Sequence, residues 1–204
     1  MLAHGVGAGK TYEMITIAME GKRLGLHTKS LFAVPNSLTE QMGRDFKKLY
    51  PAANILVAAK KDFEPKNRRE LFAKIATGEW DAVIVGHSQF DRMGLSKERM
   101  EEYMQAEIDS LRSELEEARS TDGSKSFSVK EIERTIARYE KRIKDDQGKV
   151  AKDDYIDFEE MGFDKLFVDE CHLYKNLGTA TKMSNVAGIG TTGSGMAAEL
   201  LMKT

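Results

Sequence analysis

Four short apolar runs constrain this chain more than anything else in it. They are Ser30-Leu31-Phe32-Ala33-Val34, Asn54-Ile55-Leu56-Val57-Ala58, Asp81-Ala82-Val83-Ile84-Val85 and Lys165-Leu166-Phe167-Val168. None alternates polar with apolar; each is nearly continuous, the pattern of a strand covered on both faces. Helical periodicities separate them. Thr11 to Leu24 carries Met14, Ile15, Ala18 and Met19 on one side and stops at Gly25. Ser37 to Tyr50 carries Leu38, Met42, Phe46 and Leu49, and Ser37 with Glu40 predicts a capping box. Asn67 to Thr77 carries Leu71, Phe72 and Ile75 before Gly78. Strands alternating with such helices predict crossover connections and a mainly parallel central sheet, an α/β fold.

The stretch from Ser96 to Val150 breaks the rhythm. Met104, Ile108, Leu111, Leu115 and Ala118 form one heptad-like series, and Val129, Ile132, Ile136, Tyr139 and Ile143 form a second. Thr121-Asp122-Gly123-Ser124 lies between them, so the pattern predicts an antiparallel helical hairpin with a coiled-coil-like seam. It falls between two strands of the α/β pattern. The expected organisation is therefore an α/β lobe over 1–95 and 151–204, with an inserted hairpin over 96–150. The hairpin is either an arm that grips a partner or a solvated spacer packed on itself.

Composition narrows the functional classes. With 204 residues the chain needs neither disulfide nor metal to hold a core. Its single cysteine, Cys171, excludes a disulfide framework and a cysteine-rich zinc site, and is expected to be a small buried hydrophobe. A net charge of −2 argues against a surface dominated by a basic nucleic-acid face. The densest basic stretch is Lys47, Lys48, Lys60, Lys61, Lys66, Arg68 and Arg69. It reads as a phosphate-tracking stripe or, preferred slightly, as a solvated face balanced by Asp45, Asp62, Glu64 and Glu70. No apolar run has the length of a membrane span and no signal peptide is visible, so the expected location is cytoplasmic.

Two constellations carry chemistry. Gly5-Val6-Gly7-Ala8-Gly9-Lys10-Thr11 leads directly into a helical pattern. The strict phosphate-loop pattern needs glycine at position 4, where His4 stands, but the core G-x-G-K-T is intact. Glycines let main-chain N–H groups approach phosphate oxygens, and a helix N-terminus adds about half a positive charge. Lys10 would reach the β- and γ-phosphates and the Thr11 hydroxyl would ligate Mg²⁺. The second constellation, Leu166-Phe167-Val168-Asp169-Glu170-Cys171-His172, is an apolar strand ending in two carboxylates. Asp169 there can hold Mg²⁺ through its water shell, and Glu170 can orient and deprotonate an attacking water. Either motif alone has an ordinary explanation, a glycine-rich turn or a solvated acidic turn. Together, each at a strand end, they predict a nucleoside-triphosphate site.

Asp169-Glu170-Cys171-His172 resembles the D-E-x-H box of superfamily 2 helicases and translocases, and Gly7-Ala8-Gly9-Lys10-Thr11 resembles their motif I. Val34-Pro35-Asn36-Ser37-Leu38-Thr39-Glu40-Gln41 and Val83-Ile84-Val85-Gly86-His87-Ser88-Gln89-Phe90 look like motifs of the Swi/Snf-type branch. The similarity is closest to the very large helicase–DNA methylase proteins of phages and mobile elements. Leu2-Ala3-His4 ahead of the loop, the charged helical insertion, Tyr174-Lys175-Asn176-Leu177 and Thr181-Lys182-Met183-Ser184-Asn185-Val186-Ala187-Gly188 add to it. The resemblance implies a RecA-like first motor lobe, ATP and Mg²⁺ as ligands, and translocation on or remodelling of duplex DNA. It implies that His172 couples the nucleotide to a second lobe, and that Pro35, Asn36, Ser37, His87 and Ser88 lie on the nucleic-acid face.

Two departures stand out. Gly5 replaces a glutamate usual in that group, and Cys171 replaces an alanine. The phosphate loop begins within ten residues of the start and the chain ends inside a helical pattern, so a fragment is expected. The partners then expected are a second RecA-like lobe with its arginine finger and a methylase domain elsewhere in a longer protein. Without the finger, ATP hydrolysis by this chain alone would be slow or undetectable. Two alternatives remain at this stage: a non-catalytic helicase remnant, and a binding module that works through the hairpin. A nucleotide kinase would share the phosphate loop but leave the Asp169–His172 box unexplained.

Overall fold

The computed structural model describes residues 8–122, 127–147, 156–174 and 195–204. The chain divides into two compact units, 1–94 with 155–172, and 95–154 with 173–204.

The first unit is built on four parallel strands, β1 (Ser30–Val34), β2 (Ile55–Val57), β3 (Ala82–Gly86) and β4 (Lys165–Val168), in the order β2-β3-β1-β4. This all-parallel α/β arrangement is consistent with a RecA-like fold. Every residue of β1 and β3 is buried, which is why their sequences are apolar without alternation. Helix α1 (Lys10–Arg23) precedes β1, α2 (Thr39–Leu49) and α3 (Pro65–Thr77) supply the crossovers from β1 to β2 and from β2 to β3, and α4 (His87–Phe90) is a single turn after β3. Met14, Ile15 and Ala18 of α1 and Met42 and Phe46 of α2 share one core with Phe32, Ile84 and Phe167. Phe32 stacks on Phe167 at 4.7 Å and takes the edge of Phe46 at 5.6 Å. Those rings fasten β4 beside β1.

Helix α2 begins later than expected. Leu38 occupies the cap position without a side-chain hydrogen bond, so the Ser37–Glu40 capping box does not form. The chain is turned instead by Leu38 N donating to Pro35 O at 2.8 Å and by Thr39 Oγ1 donating to Asn36 O at 3.3 Å. At the neck of the insertion, Phe158 N donates to Gly94 O at 2.8 Å and joins its two ends.

In the second unit α5 (Lys97–Asp122) and α6 (Phe127–Gln147) form the hairpin, and α7 (Gly195–Met202) follows. Ile108, Leu111 and Ile136 are buried together, with Leu115, Ile132, Tyr139 and Ile143 packed against them. Arg112 pairs with Glu140 at 3.0 Å and Arg119 with Glu133 at 2.6 Å. Moving one heptad up α5 moves the partner one heptad down α6, the signature of antiparallel heptad register. Burial, with Glu107 and Tyr139 nearby, pushes the Tyr103 phenol up to about 12. Arg99 Nε donates to Met202 O at 3.4 Å and ties α7 to α5. No helix among the described residues is long and apolar enough to cross a membrane.

Candidate functional site

The direction of α1 fixes where its first residues lie. At its C-terminal end Lys22 pairs with Asp81, which immediately precedes β3, so that end sits at the amino edge of the sheet. Fourteen residues at ~1.5 Å each carry the helix ~20 Å back. Gly9, Lys10 and Thr11 are thereby delivered to the carboxyl edge, where the strands end. Gly9 caps α1 with φ 85°, a left-handed conformation that favours glycine although no heavy atom would meet its Cβ. Lys10 and Thr11 are half-buried in the first turn, beside the positive end of the helix dipole. Gly5, Val6 and Gly7 lie outside the described residues; Ala8 is exposed.

Strand β4 brings the carboxylates to the same edge. Asp169 N donates to Ala33 O at 2.9 Å as the last link to β1, and β4 ends there. The half-buried Asp169 accepts from Glu170 N through Oδ1 at 3.0 Å. Glu170 has φ 51°, the single positive φ outside glycine among the described residues. This left-handed residue turns the chain out of the sheet, leaving Glu170 exposed with its Oε2 3.0 Å from His172 Nδ1. The same turn corrects the expectation for Cys171, which is exposed. A residue three positions beyond a half-buried strand end no longer follows the strand's burial.

The residues expected on a nucleic-acid face divide. Asn36, Ser37 and Ser88 are exposed at the carboxyl edge, Pro35 is half-buried, and His87 is buried with its ring turned inward. Asn36 Oδ1 accepts from Ser88 N at 3.3 Å and from Ser88 Oγ at 3.1 Å, bridging the ends of β1 and β3. Gly86 makes that bridge possible, because a Cβ there would stand 2.2 Å from Asn36 Oδ1 and 2.2 Å from Gln89 Oε1. Sequence reasoning quoted Gly86 within a motif but gave it no role of its own; its signal is a glycine at the end of an otherwise bulky strand. Burial lowers the His87 pKa, opposed by the charge of Asp169, a hydrogen bond to the Asp169 main chain and the charge of Glu170, while His172 lowers it further. Of the basic stretch, Lys47 donates to Ala53 O, Arg68 to Phe63 O, and Lys66 pairs with Glu64. Those three have partners within the fold.

A family model described as a probable helicase domain matches residues 1–204. The chain belongs to that helicase-domain family. No curated protein and no solved structure matches it. In this helicase domain α1 opens with Lys10 and Thr11, and β4 leads into two adjacent carboxylates, Asp169 and Glu170, with His172 beside the second. The set offers a cation for polyanion binding, a half-buried carboxylate of restricted geometry, and an exposed carboxylate free to meet water.

Proposed function

We propose that this helicase domain is the ATP-binding first motor lobe of a DNA-dependent translocase of the superfamily 2, Swi/Snf-like type, resembling most the large phage and mobile-element helicase–methylase proteins. The observation that carries the reading is the delivery of Lys10 and Thr11 by α1 to the strand ends that present Asp169 and Glu170. Parallel α/β sheets bind ligands in that crevice. Residues 5–11 hold the phosphates, Lys10 contacts the β- and γ-phosphates, and Glu170 orients and deprotonates the attacking water.

The residues fit Mg²⁺ as the accompanying ion. The Thr11 hydroxyl and the Asp169 carboxylate are hard oxygen donors, and Mg²⁺ is usually held by one or two protein groups, phosphate and its own waters. When bound, the ion neutralises charge that develops on the phosphates. Asp169 Oδ1 is held by the Glu170 N–H, which fixes the carboxylate plane. His172, beside Glu170, restrains that carboxylate and couples it to a second RecA-like lobe in the full motor. Duplex DNA runs along Asn36, Ser37 and Ser88, and a methylase domain is a further partner within a longer protein. The isolated chain hydrolyses ATP slowly because an arginine finger belongs to the second lobe.

Titration of a fluorescent ATP analogue with Mg²⁺ tests the reading. Wild type is expected to saturate, and Lys10→Ala to lose at least roughly ten-fold in affinity, the scale of one charge-assisted phosphate contact. A folded wild type that does not bind, or Lys10→Ala binding equally well, would overturn the proposal.

A further inference from the structure

We propose that the outward face of α6 is a docking surface for the sugar–phosphate backbone of duplex DNA. It belongs to the helical unit and not to the sheet unit that carries Lys10 and Glu170. Lys130, Arg134, Arg138, Lys141 and Lys144 are all exposed on α6. They follow one another at steps of four, four, three and three residues, so they line up in one stripe along the helix. The seam residues Ile132, Ile136, Tyr139 and Ile143 take the other side of the same helix. At ~1.5 Å per residue the stripe runs ~20 Å. Glu133 and Glu140 interleave with it in sequence but turn to the seam, where they meet Arg119 of α5 at 2.6 Å and Arg112 at 3.0 Å. Among the described residues none of the five cations has an acid partner.

The two helices are therefore unlike in charge. All three arginines of α5 are paired, Arg99 with Glu102 besides the two just named, while Glu98, Glu102, Asp109 and Glu116 are exposed along it. A polyanion is drawn to α6 and repelled by α5. Like-charged neighbours at these spacings weaken a helix, so the stripe costs stability that no pairing within the hairpin offsets. The density of basic residues along the sequence hides it, because the acids that interleave there leave the stripe in the folded helix. Three features select the occupant. A duplex strand carries one phosphate per ~3.4 Å of axis, so a ~20 Å row of cations meets about six phosphates. The stripe contains no aromatic side chain on which an unpaired base could stack. The apolar side of α6 is already packed against α5, which leaves none to enter a membrane or a protein groove. What remains is attraction to a backbone without recognition of its bases. This inference stands independently of the reading of the ATP site.

Anisotropy of a short labelled DNA duplex, titrated with the full chain without nucleotide over a range of KCl concentrations, tests it. Wild type is expected to bind with an affinity that falls steeply as salt rises. The quadruple variant Lys130→Gln, Arg134→Gln, Arg138→Gln, Lys141→Gln removes four charges at exposed positions and puts a good helix former at each. It is expected to lose at least roughly ten-fold in affinity at low salt, and its slope of log affinity against log salt should be shallower by about 3–4. The pair Lys130→Gln, Lys141→Gln, expected to flatten the slope by about 2, decides the matter if the quadruple variant does not fold. Wild type that leaves the duplex free at low salt, or a folded variant with wild-type affinity and slope, overturns the inference. So does wild type that binds polyglutamate or anionic phospholipid vesicles more tightly than duplex, with that binding lost in the variant. The ATP-analogue titration of Lys10→Ala reads none of these residues, so the nucleotide reading and this one fail separately.

Discussion

Asp164 accepts three hydrogen bonds, from Thr28 N at 2.6 Å, Thr28 Oγ1 at 2.7 Å and Lys29 N at 2.9 Å. Lys29 extends the junction by donating to Ile75 O and Met161 O. Together they lock the entries of β1 and β4 at the amino edge, opposite the candidate site. Burial by itself would raise the Asp164 pKa, but the bonds from the Thr28 side chain and from the Lys29 and Thr28 main chain outweigh it and hold the carboxyl below its ordinary value. A depressed folded pKa gives stability that is fully present above the ordinary value of 3.8 and disappears as pH falls through the folded value. Asp164→Asn should therefore cost about 1–2 kcal/mol at pH 7, discounted for the exposure of the site. Urea melts of both proteins should converge as the pH is taken below the ordinary aspartate range. A constant gap across that range would mean that the carboxylate charge contributes nothing.

Among the elements, α2 packs closely on β2 where Gly43 faces Val57. A Cβ on Gly43 would stand 2.6 Å from Val57 Cγ2, on a strand of three residues at the sheet edge. Gly43→Ala should destabilise by about 1–3 kcal/mol, and Val57→Ala in the same chain should recover part of that loss. Thermal melts of the two single variants and the pair check this; additive losses would refute the contact. The strands were legible because burial on both faces leaves no room for polar side chains: Leu31 to Val34 and Ala82 to Val85 are almost wholly inaccessible. The hairpin was legible because its apolar residues recur at heptad spacing on both helices, and Ile108, Leu111 and Ile136 are buried together. The segments just beyond strand ends were not. Ser37 lost its cap role to a turn held by Pro35 O, His87 faces inward and Cys171 outward, because tertiary hydrogen bonds and one left-handed residue set their directions. Periodicity is silent on both. The candidate residues could be named from the sequence, whereas the inward burial of His87 and the left-handed turn at Glu170 needed the packed structure.

At the level of the molecule, the two units carry separate cores, Phe32 with Phe46 and Phe167 in one, Ile108 with Leu111 and Ile136 in the other. Replacing residues 97–146 by a short Gly/Ser linker should leave the first unit folded, with analogue binding within about three-fold of wild type. Closing so short a loop between ends already together costs little. A variant that no longer melts cooperatively would show that the sheet unit depends on the helices. The reason for expecting independence is the bond from Phe158 N to Gly94 O. Because it holds the two ends of the insertion together, the sheet is indifferent to how much chain lies beyond. The arm can gain seven residues on each helix and still match every seam position and ion pair, extending its reach by ~10 Å per step. Its length is thus a dimension that can drift between related chains while the edge that carries Lys10 and Glu170 stays fixed.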